Sequence, residues 1–311
     1  MNKDPKLAIV FPGQGSQTIG MLDNLITIDK KAREIVNIAS DVLGYDILKI
    51  ISDGPKEKLD STEVTQPAIL LTSYVTWLLW KHESNTIPSV LAGHSLGEYT
   101  ALLCADIISF EDAIMIVSER GKYMQQSVPD STGAMAAILG LDDSLIEQLC
   151  SNAAEDEIVS AANYNSPGQV VVSGHKNAVN RLINLAKNAG ARRAILLPVS
   201  VPSHCALMKD TANKFSKLLD KITFNNAQIP ILQNVDAKLK TNAADIKTAL
   251  IKQLYEPVRW VDTINEIHRI GVTKIIECGP NNVLSGLIKR IEKSFELFSI
   301  SDKPSLDKTL I

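Results

Sequence analysis

The chain is 311 residues long, 45% hydrophobic and 22% charged, the composition of a globular protein and not of a disordered one. Its 32 basic and 35 acidic side chains leave a formal charge of -3, which excludes a global field for nucleic acid or an anionic membrane; any acidic partner must meet a local basic patch. Cys104, Cys150, Cys205 and Cys278 form no C-x-x-C pair, which argues against a zinc site or a disulfide framework and fits a reducing cytosol.

The first expected element is a buried strand over 6–11, too short for a secretory core. Elsewhere no stretch approaches the roughly 20 apolar residues of a membrane span, so a soluble, cytoplasmic protein is expected. The strand ends in the loop Pro12-Gly13-Gln14-Gly15-Ser16-Gln17. Thr18 stands where the dinucleotide fingerprint needs its third glycine and there is no G-K-[ST], so neither phosphate motif is complete. Helical patterns follow over 29–43 and 67–81. The second is apolar nearly all round, opens at Pro67 as a first-turn proline, and belongs in a core.

An apolar strand over 87–92 then runs into Gly93-His94-Ser95-Leu96-Gly97 and a helix over 98–108, the layout of a G-x-S-x-G nucleophile elbow. Ser95 is expected to stand exposed at a helix N-terminus, where N–H groups such as that of Leu96 point at a forming oxyanion. The bland alternative is a Gly-Ser turn in a chain with 16 glycines. Ser109 caps a further helix carrying Arg120. Strands alternating with helices indicate a mainly parallel sheet covered on both faces.

The rhythm changes near Thr132-Gly133. A strand over 134–139, a helix over 143–154, two strands flanking Asn165-Ser166-Pro167-Gly168, a helix over 176–189 and a strand over 193–199 give the order βαββαβ of ferredoxin-like domains. After Pro202 the α/β rhythm returns, with helices over 206–219, 261–270 and 283–293 and strands over 229–234 and 274–277. The tail from Ser301 reads as loosely held. The expected architecture is α/β: an α/β-hydrolase-like large domain built from 1–130 and 200–311, with a small ferredoxin-like domain inserted over 131–199.

A serine hydroxyl needs a base within hydrogen-bond reach. Of five histidines, His94 should diverge from Ser95 and reads as a wall or orienting residue, while His82, His175 and His268 read as solvated or structural. His204 lies in a stiff extended segment, Pro198 to His204, with two prolines, a position suited to a base although loop histidines are more often structural. No acidic residue stands where hydrolases place the third triad member. A backbone carbonyl or amide can serve instead, with Asn234 and Gln253 as candidates. The loop 12–17 can aim the Gln14 N–H toward the elbow, so that Gln14 and Leu96 form an oxyanion hole from two loops. Arg120, if it faces inward, demands an anion and fits a carboxylate with two hydrogen bonds; the alternative is an exposed arginine paired with Glu119 or Glu111.

Together, residues 11–17, 93–99, Arg120-Gly121, 163–169 and 198–207 resemble the malonyl-CoA:acyl carrier protein transacylases of bacterial type II fatty acid synthesis, in order and spacing, over about 6–291. The resemblance implies Ser95 as acyl acceptor, His204 as its base and Arg120 as holder of the malonyl carboxylate. It also implies Gln14 and Leu96 N–H groups as oxyanion donors and the Gln253 carbonyl as support for the histidine. The implied substrates are malonyl-CoA and phosphopantetheinylated acyl carrier protein, with no bound cofactor and no metal, in a monomer. The family's usual Gly-Pro-Gly is Gly279-Pro280-Asn281 here, a modest change because asparagine tolerates left-handed backbone. Carrier proteins of this kind are acidic, so Arg192-Arg193 and Lys289-Arg290 are candidates for a basic rim. Two rival readings remain at this stage, a serine hydrolase such as a thioesterase and a non-catalytic acyl-CoA or carrier-binding module.

Overall fold

In the computed structural model, which describes residues 2–129, 132–199 and 201–310, the two apolar runs of the first third of the chain become neighbours. β1 (Asn2–Phe11) and β2 (Thr86–Gly93) pair in parallel and end together, Phe11 opposite Gly93. Alternate residues of β1 are buried on opposite faces, Ile9 and Phe11 in one core and Ala8 and Val10 in another, as a parallel sheet covered on both sides requires.

Between these strands lie α1 (Lys30–Leu43), α2 (Ile47–Asp53), α3 (Lys56–Leu59) and α4 (Thr62–Ser84). α1 starts where Asp29 accepts the Lys31 N–H and stops at Gly44, whose φ of 75° favours glycine. α4 begins five residues before the expected Pro67, which therefore sits inside the helix and not in its first turn. The extra residues include Thr65 and Gln66, polar yet fully buried, so no apolar period marks them.

α5 (Leu96–Cys104) leaves the elbow directly, and α6 (Phe110–Gln125) is capped by Ser109, which accepts the Asp112 N–H. A second sheet follows from β3 (Gly133–Leu139), α7 (Asp143–Ala154), β4 (Val159–Ser166), β5 (Gln169–His175), α8 (Lys176–Asn188) and β6 (Arg193–Leu196). Its order is β4-β5-β3-β6, antiparallel throughout, over a separate core that includes Ile138, Val172 and Leu182. β6 stops three residues short of the expected strand, because 197–199 turn away to line a cavity.

The chain then returns through a 3-10 turn (Ala206–Met208), α9 (Lys209–Leu219), β7 (Ile231–Leu232), β8 (Leu239–Lys240), α10 (Ala243–Gln253) and α11 (Trp260–Arg269). It ends with β9 (Lys274–Cys278), α12 (Val283–Ile291), β10 (Glu296–Ile300) and α13 (Lys303–Lys308). The larger sheet has the order β10-β9-β1-β2-β7-β8, parallel except at β8. The tail is not loosely held: β10 pairs along β9, and Asp302 caps α13, whose Leu306 is buried. The result is mixed α/β with a parallel-rich sheet. The carboxyl ends of β1, β2 and β7 lie side by side, the edge at which such sheets hold ligands.

Candidate active site

The elbow is fixed by two close approaches. A Cβ on Gly93 would lie 1.9 Å from the Gly97 carbonyl carbon, and one on Gly97 would lie 2.0 Å from the Phe11 oxygen, so only hydrogen fits at either position. Ser95 between them is held at φ 51° and ψ -104°, left of zero strain by an amount non-glycine residues accept only under tertiary constraint. The constraint is visible: its N–H donates to Asn234 Oδ1 at 2.7 Å and its carbonyl accepts from Gln253 Nε2 at 2.9 Å. Ser95 is half-buried on the wall of a cavity of about 590 Å³, and not exposed as expected, because the β3–β6 layer roofs the elbow with Met135, Val171 and Leu197.

His204, also at positive φ, anchors its N–H on the Leu254 carbonyl. Its Nε2 lies 2.8 Å from Ser95 Oγ and its Nδ1 2.6 Å from the main-chain oxygen of Gln253. A carbonyl only accepts, so Nδ1 carries the proton and Nε2 offers its lone pair to the serine hydroxyl. Burial, with the Arg120 charge second, pushes the imidazole down to about 3 against the pull of the Gln253 carbonyl. The ring is neutral at ordinary pH.

Arg120 is 2% exposed, so the pairing with Glu119 or Glu111 does not occur; Glu119 instead meets Lys122. The guanidinium donates from Nη1 to Gln66 Oε1 at 2.8 Å, and from Nη2 to Gln253 Oε1 at 3.0 Å and Ser95 Oγ at 3.3 Å. Its carbon stands 5.1 Å from the centre of the Tyr99 ring. Among the described residues none of its acceptors is a carboxylate and its Nε has no partner, and burial holds its pKa below the usual arginine value. A sequence signal was present: Ala113, Val117, Arg120 and Met124 fall on one helical stripe, and all are buried.

Gln14 and Leu96 line the same cavity, and among the described residues no partner is found for either N–H. The loop is pressed onto the elbow, since a Cβ on Gly13 would lie 2.4 Å from the His94 oxygen. Asn281 takes up left-handed backbone, φ 62°, and donates to the Ser16 carbonyl at 2.6 Å, tying the C-terminal turn to this loop.

Of the two candidates for support of the histidine, Gln253 makes the contact, from the end of α10. Asn234 serves the elbow instead, accepting from Ser95 N–H and donating to the Gly93 carbonyl at 2.6 Å. Two participants escaped the sequence reading. Gln66 holds Arg120. Glu98, fully buried, accepts through Oε2 from Gln253 Nε2 at 2.8 Å and the Asn234 N–H at 3.1 Å; burial lifts its carboxyl to about 7 despite these bonds. A glutamate as the one charged residue in the run 96–103 was the available signal.

His94 lines the cavity, its Nε2 2.8 Å from Asn165 Oδ1 and its ring edge-on to Trp260. His175 accepts the Ile158 N–H, His268 lies against Phe295 and Glu292, and His82 is exposed; none joins the site. Arg192, Arg193, Lys289 and Arg290 are exposed and lie outside the cavity lining, with Arg290 donating to Gln169 Oε1 at 2.7 Å. Among the described residues no cluster of three or more His, Cys, Asp or Glu could hold a metal, and the four cysteines are free and buried.

A parallel-rich α/β sheet ending in a strained serine, a neutral histidine on its hydroxyl and a buried cation beside both defines the class of serine-dependent acyl-processing enzymes. The profile of the acyl transferase domain family matches residues 8–302. The malonyl CoA-acyl carrier protein transacylase of Haemophilus influenzae is 50% identical over 303 residues, 97% of each chain, and that of Escherichia coli K12 is 48% identical over 98% of this chain and 99% of its own. Among solved structures, an acyl carrier protein S-malonyltransferase from Vibrio cholerae superimposes with a TM-score of 0.96 at 51% identity, covering 98% of this chain and 99% of that one. A malonyl-transacylase in complex with its type II PKS acyl-carrier protein superimposes equally well at 48% identity, with the same coverage. The chain therefore belongs to the acyl transferase domain family, among its malonyl CoA-acyl carrier protein transacylases.

Proposed function

We propose that the protein moves a malonyl group from malonyl-CoA to the phosphopantetheine thiol of acyl carrier protein through a malonyl ester on Ser95, supplying fatty acid synthesis. The observation that carries this reading is a buried guanidinium, without a carboxylate partner, 3.3 Å from the nucleophilic oxygen. In a malonyl thioester the carboxylate stands one methylene from the carbonyl under attack. A cation that recognises it must lie beside the nucleophile.

In the first half-reaction Ser95 Oγ attacks the thioester carbon while its proton passes to His204 Nε2. The oxyanion is held by the N–H groups of Gln14 and Leu96. Collapse breaks the C–S bond, and CoA leaves as a thiol with the proton from His204. In the second, the carrier thiol gives its proton to His204 and attacks the ester, and Ser95 recovers its proton as it leaves. The Gln253 carbonyl keeps the histidine in the required tautomer throughout. Arg120 prefers malonyl over acetyl, because an acyl group without a carboxylate leaves the buried cation unpaired.

We read 1–130 and 200–311 as one α/β-hydrolase-like unit and 131–199 as an inserted ferredoxin-like unit, supported by the elbow and by the βαββαβ order of the four-stranded sheet. For the carrier rim, register supports a common end for the two basic pairs. Gln169 pairs with Leu139 and Leu139 with Arg193, while Arg290 bonds Gln169, so Arg193 and Arg290 flank one row across the small sheet. We also propose that the protein acts as a monomer, which light scattering of the purified protein checks. A cytoplasmic location is consistent with four free cysteines, and no helix among the described residues is long and apolar enough to cross a membrane.

Brief exposure to malonyl-CoA followed by intact-mass measurement and peptide mapping tests the reading. One malonyl adduct on Ser95, cleared when phosphopantetheinylated carrier is added, is expected. Release of free malonate without carrier as fast as the adduct forms points to a hydrolase, and no adduct points to a binding module.

A further inference from the structure

The mechanism above leaves unused a buried carboxyl beside the nucleophile. Glu98 sits on the first turn of α5, three residues after the nucleophile and fully buried, and touches no reacting atom. Its Oε2 is the shared acceptor of two donors, the Gln253 side-chain amide and the Asn234 main-chain N–H, while its Oε1 has no partner. Each of those two residues holds a different part of the site. Asn234 receives the Ser95 N–H; Gln253 binds the Ser95 carbonyl and, through Oε1, the Arg120 guanidinium.

A glutamine amide has the same shape after a half-turn about its last bond, with oxygen and nitrogen exchanged, so neighbours alone decide which way it points. In the observed orientation every contact pairs a donor with an acceptor. After the half-turn, the NH2 would face the Arg120 N–H, and the oxygen would face both the Glu98 carboxyl and the Ser95 carbonyl. Contacts of that kind in a buried site leave donors and acceptors unpaired, which is unfavourable.

We propose that Glu98 is a positioning residue for acyl selection: by accepting from Gln253 Nε2 and Asn234 N–H it fixes the amide of Gln253 with its oxygen toward Arg120, and so seats the guanidinium beside the nucleophile. What it supplies is an acceptor at a fixed distance. A carboxylate is not required for that, because the carbonyl oxygen of a neutral carboxyl or amide also accepts. The inference rests on the malonyl-transfer reading, since the group being seated is the one that receives the malonyl carboxylate.

The test separates acceptor position from charge and from fold. Glu98→Gln keeps the oxygen in place, removes the charge and puts its NH2 where Oε1 has no partner. Glu98→Asp keeps the charge but draws the carboxylate back by one C–C bond, about 1.5 Å, beyond reach of both donors. Loading of Ser95 from malonyl-CoA and from acetyl-CoA is followed by intact mass, and the ratio of the two kcat/KM values is read. Glu98→Gln is expected to hold the ratio within about threefold of the wild type. Glu98→Asp is expected to lower it about tenfold, the scale of one misplaced hydrogen bond to a charged group. A wild-type ratio in Glu98→Asp, with both rates reduced alike or not at all, assigns Glu98 to packing and overturns the proposal; so does a drop in Glu98→Gln that Glu98→Asp does not share, which assigns it to charge. Absence of any malonyl adduct on wild-type Ser95 is a separate result, which refutes the malonyl-transfer reading itself.

Discussion

Replacing Arg120 by alanine tests the site most directly, because the structure fixes what is lost. The guanidinium is buried, and its acceptors are two glutamine oxygens and the nucleophile. A malonyl carboxylate arriving there accepts two hydrogen bonds from a charged donor, each about 1.5–3 kcal/mol, so the variant forfeits about 3–6 kcal/mol with malonyl. At 1.4 kcal/mol per decade this is a fall of about 10²–10⁴ in kcat/KM. Acetyl-CoA has no carboxylate to lose. Its loading suffers only from the freed Gln66 and Gln253 oxygens and the cavity behind Ser95, expected at about tenfold or less. Time courses of Ser95 acylation with each thioester, read by quenched intact mass, give both factors on one protein sample. Losses of equal size for malonyl and acetyl would refute the carboxylate role and leave Arg120 as a support for the nucleophile alone.

Removal of the base in His204→Ala should slow acylation by at least about two orders of magnitude in the same assay, and a near-normal rate would mean that another group takes the serine proton. The depressed His204 pKa also makes a stability prediction. An unfolded chain takes up a proton on this residue below about 6.5, whereas the native ring resists until about 3. The unfolded state therefore binds more protons in that window, so stability falls as pH drops from 6.5 toward 3, by about 1.4 kcal/mol per unit from this group. Urea unfolding at pH 7 and pH 5 should show the decline in the wild type and a shallower one in His204→Gln; equal slopes would show that His204 is not the buried neutral group. Charge reversal at both Arg192-Arg193 and Lys289-Arg290 should raise KM for the carrier and leave acylation by malonyl-CoA intact. An unchanged carrier KM would remove the rim.

What the sequence made legible follows from range. The elbow, its flanking strand and helix, and the βαββαβ order are set by residues close together in the chain, and they emerge within a few residues of the observed bounds. The start of α4 and the short α13 were missed for the opposite reason, whereas α10, whose Ile246, Ala249 and Leu250 carry a helical period, was legible and went unread. Thr65 and Gln66 are buried polar residues, and α13 is short and held by a cap. Apolar periodicity is silent on such segments. The site divides the same way. Ser95 carries a local motif, but Gln66, Glu98 and Asn234 matter only through partners 54, 155 and 139 positions away. An amide or carboxyl acquires its function from which donor faces it, and that is a property of the packed chain.

The choice between transfer and hydrolysis follows from the same packing. His204 leans on a main-chain carbonyl, where many serine hydrolases supply a carboxylate, and it lies within the field of the Arg120 cation, so its protonated form is poorly stabilised. A base that weak extracts protons best from acidic nucleophiles. A thiol ionises near 8.5 and bulk water at 15.7, a difference of about seven units that favours the carrier's sulfur over solvent at the ester. A malonyl carboxylate bound at Arg120 would add a separate effect, because it offsets the Arg120 charge and removes one of the influences, beside burial and His94, that depress His204. The base is then stronger when the correct acyl group occupies the site than when acetyl does. On the proposed roles, recognition of the carboxylate and activation of the nucleophile are linked through one buried guanidinium, whose Nη2 is held by the amide of Gln253.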